Sequence, residues 1–150
     1  MKTLWYELLE VALRHRVSLR VLASADAARV GMELERRYAR PGSQPLWERV
    51  RDPTARQSSE AWRAAANRVP VPVVLLIQDS QDRYCGAIVE GEGDLLRWLE
   101  ESPPFVFYLT NMTQDYLITL NDHEFIGGAG EASQWVSEMR FLEEEAGRSA

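Results

Sequence analysis

His123 stands between two carboxylates, Asp122 and Glu124, and four residues ahead of the run Gly127, Gly128, Ala129, Gly130. An imidazole beside acids has the composition of a general base with an orienting partner. A glycine-rich turn that enters a helix can offer free amides to a phosphate. Together they would suit a small hydrolase or a nucleotide-binding enzyme. The rest of either machine is missing. Adjacent side chains on an extended segment point to opposite faces, and Asn121-Asp122 is explained more simply by a turn. No Gly-Lys-Ser/Thr follows the glycines, and Glu131 would repel a phosphate. A dinucleotide fold also needs a further strand after that helix. The glycines therefore read as structural, supplying positive φ angles and a close helix crossing.

Cys85 is the single cysteine, which removes any internal disulfide or cysteine-based zinc site. It lies in the apolar stretch YCGAIVE, where a buried, inert thiol is expected rather than a nucleophile paired with His123. The two histidines, His15 and His123, are too few for a histidine metal site, and no HExxH or aspartate-loop spacing occurs. The sequence thus calls for no catalytic residue, metal or cofactor.

Charge is more informative. The chain of 150 residues carries a net charge of -6, divided as +5 over residues 1–70 and -11 over 71–150. Such asymmetry fits halves that face each other, an acidic half that meets a basic partner, or simply a solvated surface with unevenly spread charge. The second half holds acids in and near its turns: Asp79 and Asp82, then Glu90, Glu92 and Asp94 with Glu100 and Glu101 shortly after, then Asp115, Asp122 and Glu124. Gathered at one sheet edge, they would form a negative patch that steers a basic protein, with Trp98, Tyr108 or Tyr116 as an aromatic anchor. The basic clusters Arg14, Arg16, Arg20 and Arg36, Arg37, Arg40 are interleaved with Glu33 and Glu35, and the overall negative charge opposes nucleic acid. A homodimer joining the basic half of one copy to the acidic half of another would use the same asymmetry.

The elements that must position these groups alternate. LWYELLEVALRHR has helical spacing with Thr3 as a cap, VSLRVLA alternates as a strand, and Ala25 to Tyr38 forms a second helix capped by Ser24 or Asp26. The segment at about 40–57, broken by Pro41, Pro45 and Pro53, reads as a loop with at most one helical turn near Leu46 to Val50. Ser58 or Ser59 caps a helix through Trp62, Ala65, Ala66 and Val69. VVLLIQD is an apolar run expected of a strand buried on both faces, and it turns into YCGAIVE as a hairpin. Asp94 caps the short helix DLLRWLEES, with Leu95, Trp98 and Leu99 facing inward. FVFYLTN, DYLITLN and a short EFIGG follow as strands, and EASQWVSEMRFLEEE closes the chain as a helix.

This order predicts a single α+β domain, residues 1–150, with a mainly antiparallel sheet of five or six strands and helices packed against it. A mixed sheet with one parallel neighbour is the alternative. The first residues lack the pattern of a signal peptide and no long apolar run occurs, which predicts a cytoplasmic protein without a membrane partner. The stretch FVFYLTNMTQDYLITLNDHEFIGGAGEASQWV, residues 105–136, resembles the C-terminal half of small bacterial α+β proteins of the toxin-immunity kind. That resemblance implies an inhibitor that covers a basic toxin or nuclease with acidic residues. It transfers no individual site residue.

Overall fold

A computed structural model describes residues 3–142. Its elements run α1 (Leu4–Arg14), β1 (Leu19–Val21), α2 (Ser24–Tyr38), α3 (Leu46–Arg49), β2 (Thr54–Gln57), α4 (Ala61–Arg68), β3 (Val73–Gln78), β4 (Tyr84–Val89), α5 (Asp94–Glu100), β5 (Phe107–Thr110), β6 (Tyr116–Leu120), β7 (Phe125–Gly130) and α6 (Ala132–Glu138). The strands form one seven-stranded sheet in the order β1-β4-β3-β5-β6-β7-β2. Every pairing between them is antiparallel, so the α+β reading holds, with seven strands and no parallel neighbour.

The central strands explain themselves. Val73 to Ile77 are all buried because helices cover both sides of the sheet, and a strand with two covered faces needs no polar positions. One face packs Val73, Leu75, Ile77, Phe107, Leu109 and Ile118 under α1, α4, α5 and α6. The opposite face packs Val74, Leu76, Tyr84, Tyr108 and Leu117 against Val30 and Leu34 of α2 and Leu46 of α3. Period two along each strand separates the two cores.

Close approach of α2 to β4 depends on Gly31. A Cβ built there would lie 2.2 Å from the Tyr84 ring. The ring is buried and cannot withdraw easily, so Gly31→Ala is expected to destabilise the fold by about 1–3 kcal/mol, read as a lower denaturant midpoint at unchanged m-value.

Four expectations are corrected. The loop at 40–57 contains the expected turn, α3, but also the edge strand β2, paired to β7 from Thr54↔Gly128 to Gln57↔Phe125. Helix α2 is entered from Ala23, and Ser24 and Asp26 lie within its first turn. Helix α4 starts after Glu60; Ser58 contributes by accepting the Glu60 N–H at 3.0 Å. The closing helix stops at Glu138, and Phe141 is then buried under the Arg56 guanidinium, 4.3 Å from the ring centroid. The predicted continuation beyond Leu142 lies outside the described residues. Thr3 does cap α1, accepting the Tyr6 N–H at 3.2 Å. No helix among the described residues is long and apolar enough to cross a membrane.

Candidate functional site

An antiparallel sheet sends its turns alternately to two ends, and this decides which acids meet. β3, β6 and β2 finish at one end, here called the upper end, where β4, β5 and β7 begin. Asp79 and Asp82 lie in the β3-β4 turn and Asp122 and Glu124 in the β6-β7 turn, so these four share the upper end. Glu90, Glu92 and Asp94 follow β4 and Asp115 precedes β6, which puts them at the lower end. The acidic turns therefore form two groups rather than one patch.

Three of the four lower acids are held within the chain, and Glu92 is exposed with no basic partner among the described residues. Glu90 pairs with Arg20 across the sheet edge. Asp94 does not cap α5 as expected: the cap is Gly93 at φ 79, and Asp94 is the first helical residue, buried, accepting hydrogen bonds from the Ser18 N–H at 3.0 Å and from Arg97. It ties β1 to α5 and is no partner-facing acid. Hydrogen bonds from the Thr113 hydroxyl and the Asn111 amide hold the Asp115 carboxyl below its ordinary range. Arg37 donates to the Thr113 and Gln114 carbonyls and Tyr38 to the Gln114 carbonyl, so the C-terminal end of α2 is docked on this end.

Trp98 is not a surface anchor. It is 1% exposed, packs at 6.2 Å from the Trp5 ring, and its indole N–H donates to the Leu8 carbonyl at 2.8 Å. The inward face given by helical spacing over Leu95, Trp98 and Leu99 is correct, and the role as partner contact is withdrawn. Tyr108 and Tyr116 are likewise core residues. Burial drives both phenols well above their ordinary range.

At the upper end Asp79 is internally paired. Burial pushes its carboxyl up, but N–H donors from Arg83 and Gln81 and the Arg83 guanidinium outweigh that and hold it low. Among the described residues Asp82 and Glu124 have no basic partner, and Asp122 meets only the neighbouring imidazole, His123 Nε2, at 3.7 Å. Asn121 builds this turn: its Oδ1 accepts from the His123 and Phe125 N–H groups at 2.9 and 3.1 Å. Glu124 is thereby held at φ 67, a left-handed conformation that favours glycine, and its carbonyl accepts the Ser58 N–H.

Asp122 and Glu124 edge a cleft of about 240 Å³ between the start of α4 and the end of α5. Its apolar lining includes Trp62, Leu99, Pro104 and Phe107, and Glu100 stands at the rim with its carboxylate on Arg63 at 2.7 Å. The sequence named Glu100 among the acids and Trp62 on an apolar helix face, but did not bring them together or show the Pro103-Pro104 wall. A helix-stopping proline pair after an amphipathic helix was the available signal, since it turns the chain back toward the β6-β7 corner. A second, shallower hollow of about 350 Å³ lies on the other face, where Trp47, Phe125 and Gly127 flank the uncovered outer strands.

The catalytic arrangement does not assemble. Gly127 to Gly130 are strand, paired to β6 on one side and, at Gly127 and Gly128, to β2 on the other. They form no phosphate-binding turn. Their smallness serves packing: a Cβ on Gly128 would lie 2.6 Å from the Ala132 carbonyl oxygen, so α6 crosses there, and only Gly130 of the three glycines has positive φ. The His123 side chain is 76% exposed, and among the described residues its one ion-pair partner is the adjacent Asp122. Cys85 lies on β4, four strands from β7, about 19 Å away at ordinary strand spacing, and burial raises its thiol.

On α2, hydrogen bonds from Arg36 and then Arg37 hold the Glu33 carboxyl down to about 2 from an ordinary 4.5. The folded value lies below the unfolded one, so this contribution is complete above pH 4.5 and lost as pH falls toward 2. Carboxyl NMR titration is expected to give Glu33 a midpoint near 2, moving toward 4.5 in Arg36→Gln/Arg37→Gln. No protein-family model, curated protein or solved structure matches the chain.

Proposed function

We propose that the chain is a protein-binding module, an immunity-type inhibitor that engages a basic protein, such as a toxin or nuclease, with the upper end of its sheet. The observation that supports this reading is the contrast between the two ends. Glu90, Asp94 and Asp115 are satisfied internally, which leaves Glu92 as the unpaired acid of the lower turns, whereas among the described residues Asp82 at one upper turn and Glu124, beside an apolar cleft at the other, have no cation. Unpaired carboxylates next to exposed apolar surface combine long-range steering with area to bury. The two upper turns are three strand spacings apart, about 14 Å, and a partner spanning both would meet Asp82, Asp122 and Glu124 together.

Arginines of the first half already reach acids of the second within one chain, at Arg20 with Glu90 and Arg63 with Glu100. That leaves less to gain from joining opposite halves of two copies, and the remaining negative field is read as facing a different protein. The test is capture from the source cell's lysate with a tagged chain at low and high salt. One basic protein, retained in one-to-one ratio and released by salt, is expected, because a contact of this kind is screened beyond a Debye length of about 8–10 Å. Retention of nothing, with the chain a free monomer, would end the reading. A salt-dependent self-association would favour the homodimer instead.

A further inference from the structure

We infer that the cleft between α4 and α5 receives an arginine side chain of the partner, with its guanidinium on Asp122 and Glu124 and its stem along Trp62 and Pro104. The inference rests on the partner-binding reading and names the chemistry of its site. Three observations support it. The cleft, at about 240 Å³, falls below the roughly 300–1,000 Å³ of ordinary small-molecule pockets, and its size suits a single side chain. Trp62, Leu99, Pro104 and Phe107 give it an apolar wall, interrupted by Ser58, Ser59, Ser102 and Asn121, and Glu100, Asp122 and Glu124 give it acids, which complements a group with an apolar stem and a charged head. The chain itself already uses this chemistry beside the cleft: the Arg63 guanidinium lies 4.7 Å from the Trp62 ring centroid and bonds Glu100 at 2.7 Å. A second guanidinium would repeat that arrangement on the opposite rim, where the Glu124 carboxylate has no cation among the described residues. Arginine is favoured over lysine because a planar fork can bond two carboxylates and stack on a ring.

The experiment is an amide NMR titration of the intact chain with N-acetyl-arginine amide, alongside N-acetyl-citrulline amide, which has the same shape without the charge. Shifts from the arginine probe are expected at residues 58–62, 99–105 and 121–124, with citrulline at least about tenfold weaker. Asp122→Asn/Glu124→Gln is expected to weaken arginine by a similar factor. Glu124→Gly provides the control for folding, since it removes the carboxylate from a left-handed position and should leave stability within about 1 kcal/mol. Equal shifts from citrulline, shifts spread evenly over both sheet ends, or no shifts up to the solubility limit would each overturn the assignment. If lysate capture succeeds while the arginine probe leaves the cleft unshifted, the module reading stands and the cleft assignment falls. If the probe binds the cleft and no partner is captured, the cleft assignment stands without that reading.

Discussion

Trp98→Ala is expected to lower stability by about 4 kcal/mol, and Tm by roughly 8–16 °C for a chain of this length. The residue fills the space between α1 and the sheet, so truncation leaves a cavity and removes contacts with Trp5. It also leaves the buried Leu8 carbonyl without its indole donor. Trp98→Phe separates the two effects: it retains most of the ring and is expected to cost about 1–2 kcal/mol, mainly through the lost hydrogen bond. Thermal and denaturant unfolding of both variants checks the pair. A surface anchor would behave differently, since truncating it would change stability by no more than about 0.5 kcal/mol while weakening binding.

Arg49→Ala is expected to cost about 3 kcal/mol, although arginine at the end of a four-residue helix attracts no notice in the sequence. Its side chain is 9% exposed, pairs with Glu35 of α2, and donates to the Gln44 carbonyl at 2.8 Å and the Arg40 carbonyl at 3.0 Å. One guanidinium thereby fixes the segment after α2 that α3 needs in order to place Leu46 in the core. Nearby, Tyr108 accepts the Trp47 N–H and donates to Gln78, which in turn accepts the Leu46 N–H. Arg49→Lys is expected to recover little, because an ammonium cannot span three acceptors set in a fork. Urea unfolding of both variants reads the result; near wild-type stability in Arg49→Lys would mean that charge alone, rather than the fork, holds the segment.

What was legible in the sequence follows from which faces are covered. VVLLIQ and YCGAIV declare themselves because both sides of the central sheet are buried, and α1 and α4 because one stripe of each is. β2 was hidden for the same physical reason. Its four residues, TARQ, pack one face on α6 and leave the other open at the sheet edge, so no apolar alternation marks them. Its partner β7 was legible only in its first half, as EFIGG: FIGGAG has poor strand propensity, and its glycines are required by the crossing of α6 and by Thr119, whose hydroxyl oxygen would lie 2.7 Å from a Cβ on Gly127.

The acidic residues were legible as a group and illegible as a site. Their turns could be read, but which turns share an end depends on strand direction and order, neither of which composition encodes. Once the order β1-β4-β3-β5-β6-β7-β2 is known, Asp122 and Glu124 separate from Glu90 and Asp115 at once. Asp94 and Trp98 leave the surface for a related reason. α5 lies against the sheet with its first turn tied to Ser18 and its middle pressed on Leu8.

The division between the two ends gives the most direct measurement. Partner capture at low salt is to be compared between the wild type, the upper-end variant Asp82→Lys/Asp122→Lys/Glu124→Lys, and the lower-end variant Glu90→Lys/Glu92→Lys, each first shown to unfold near the wild-type midpoint. Retention is expected to be lost in the upper-end variant and kept in the lower-end one. Equal retention by all three, or loss confined to the lower-end variant, would contradict an inhibitor that works through the upper end of its sheet.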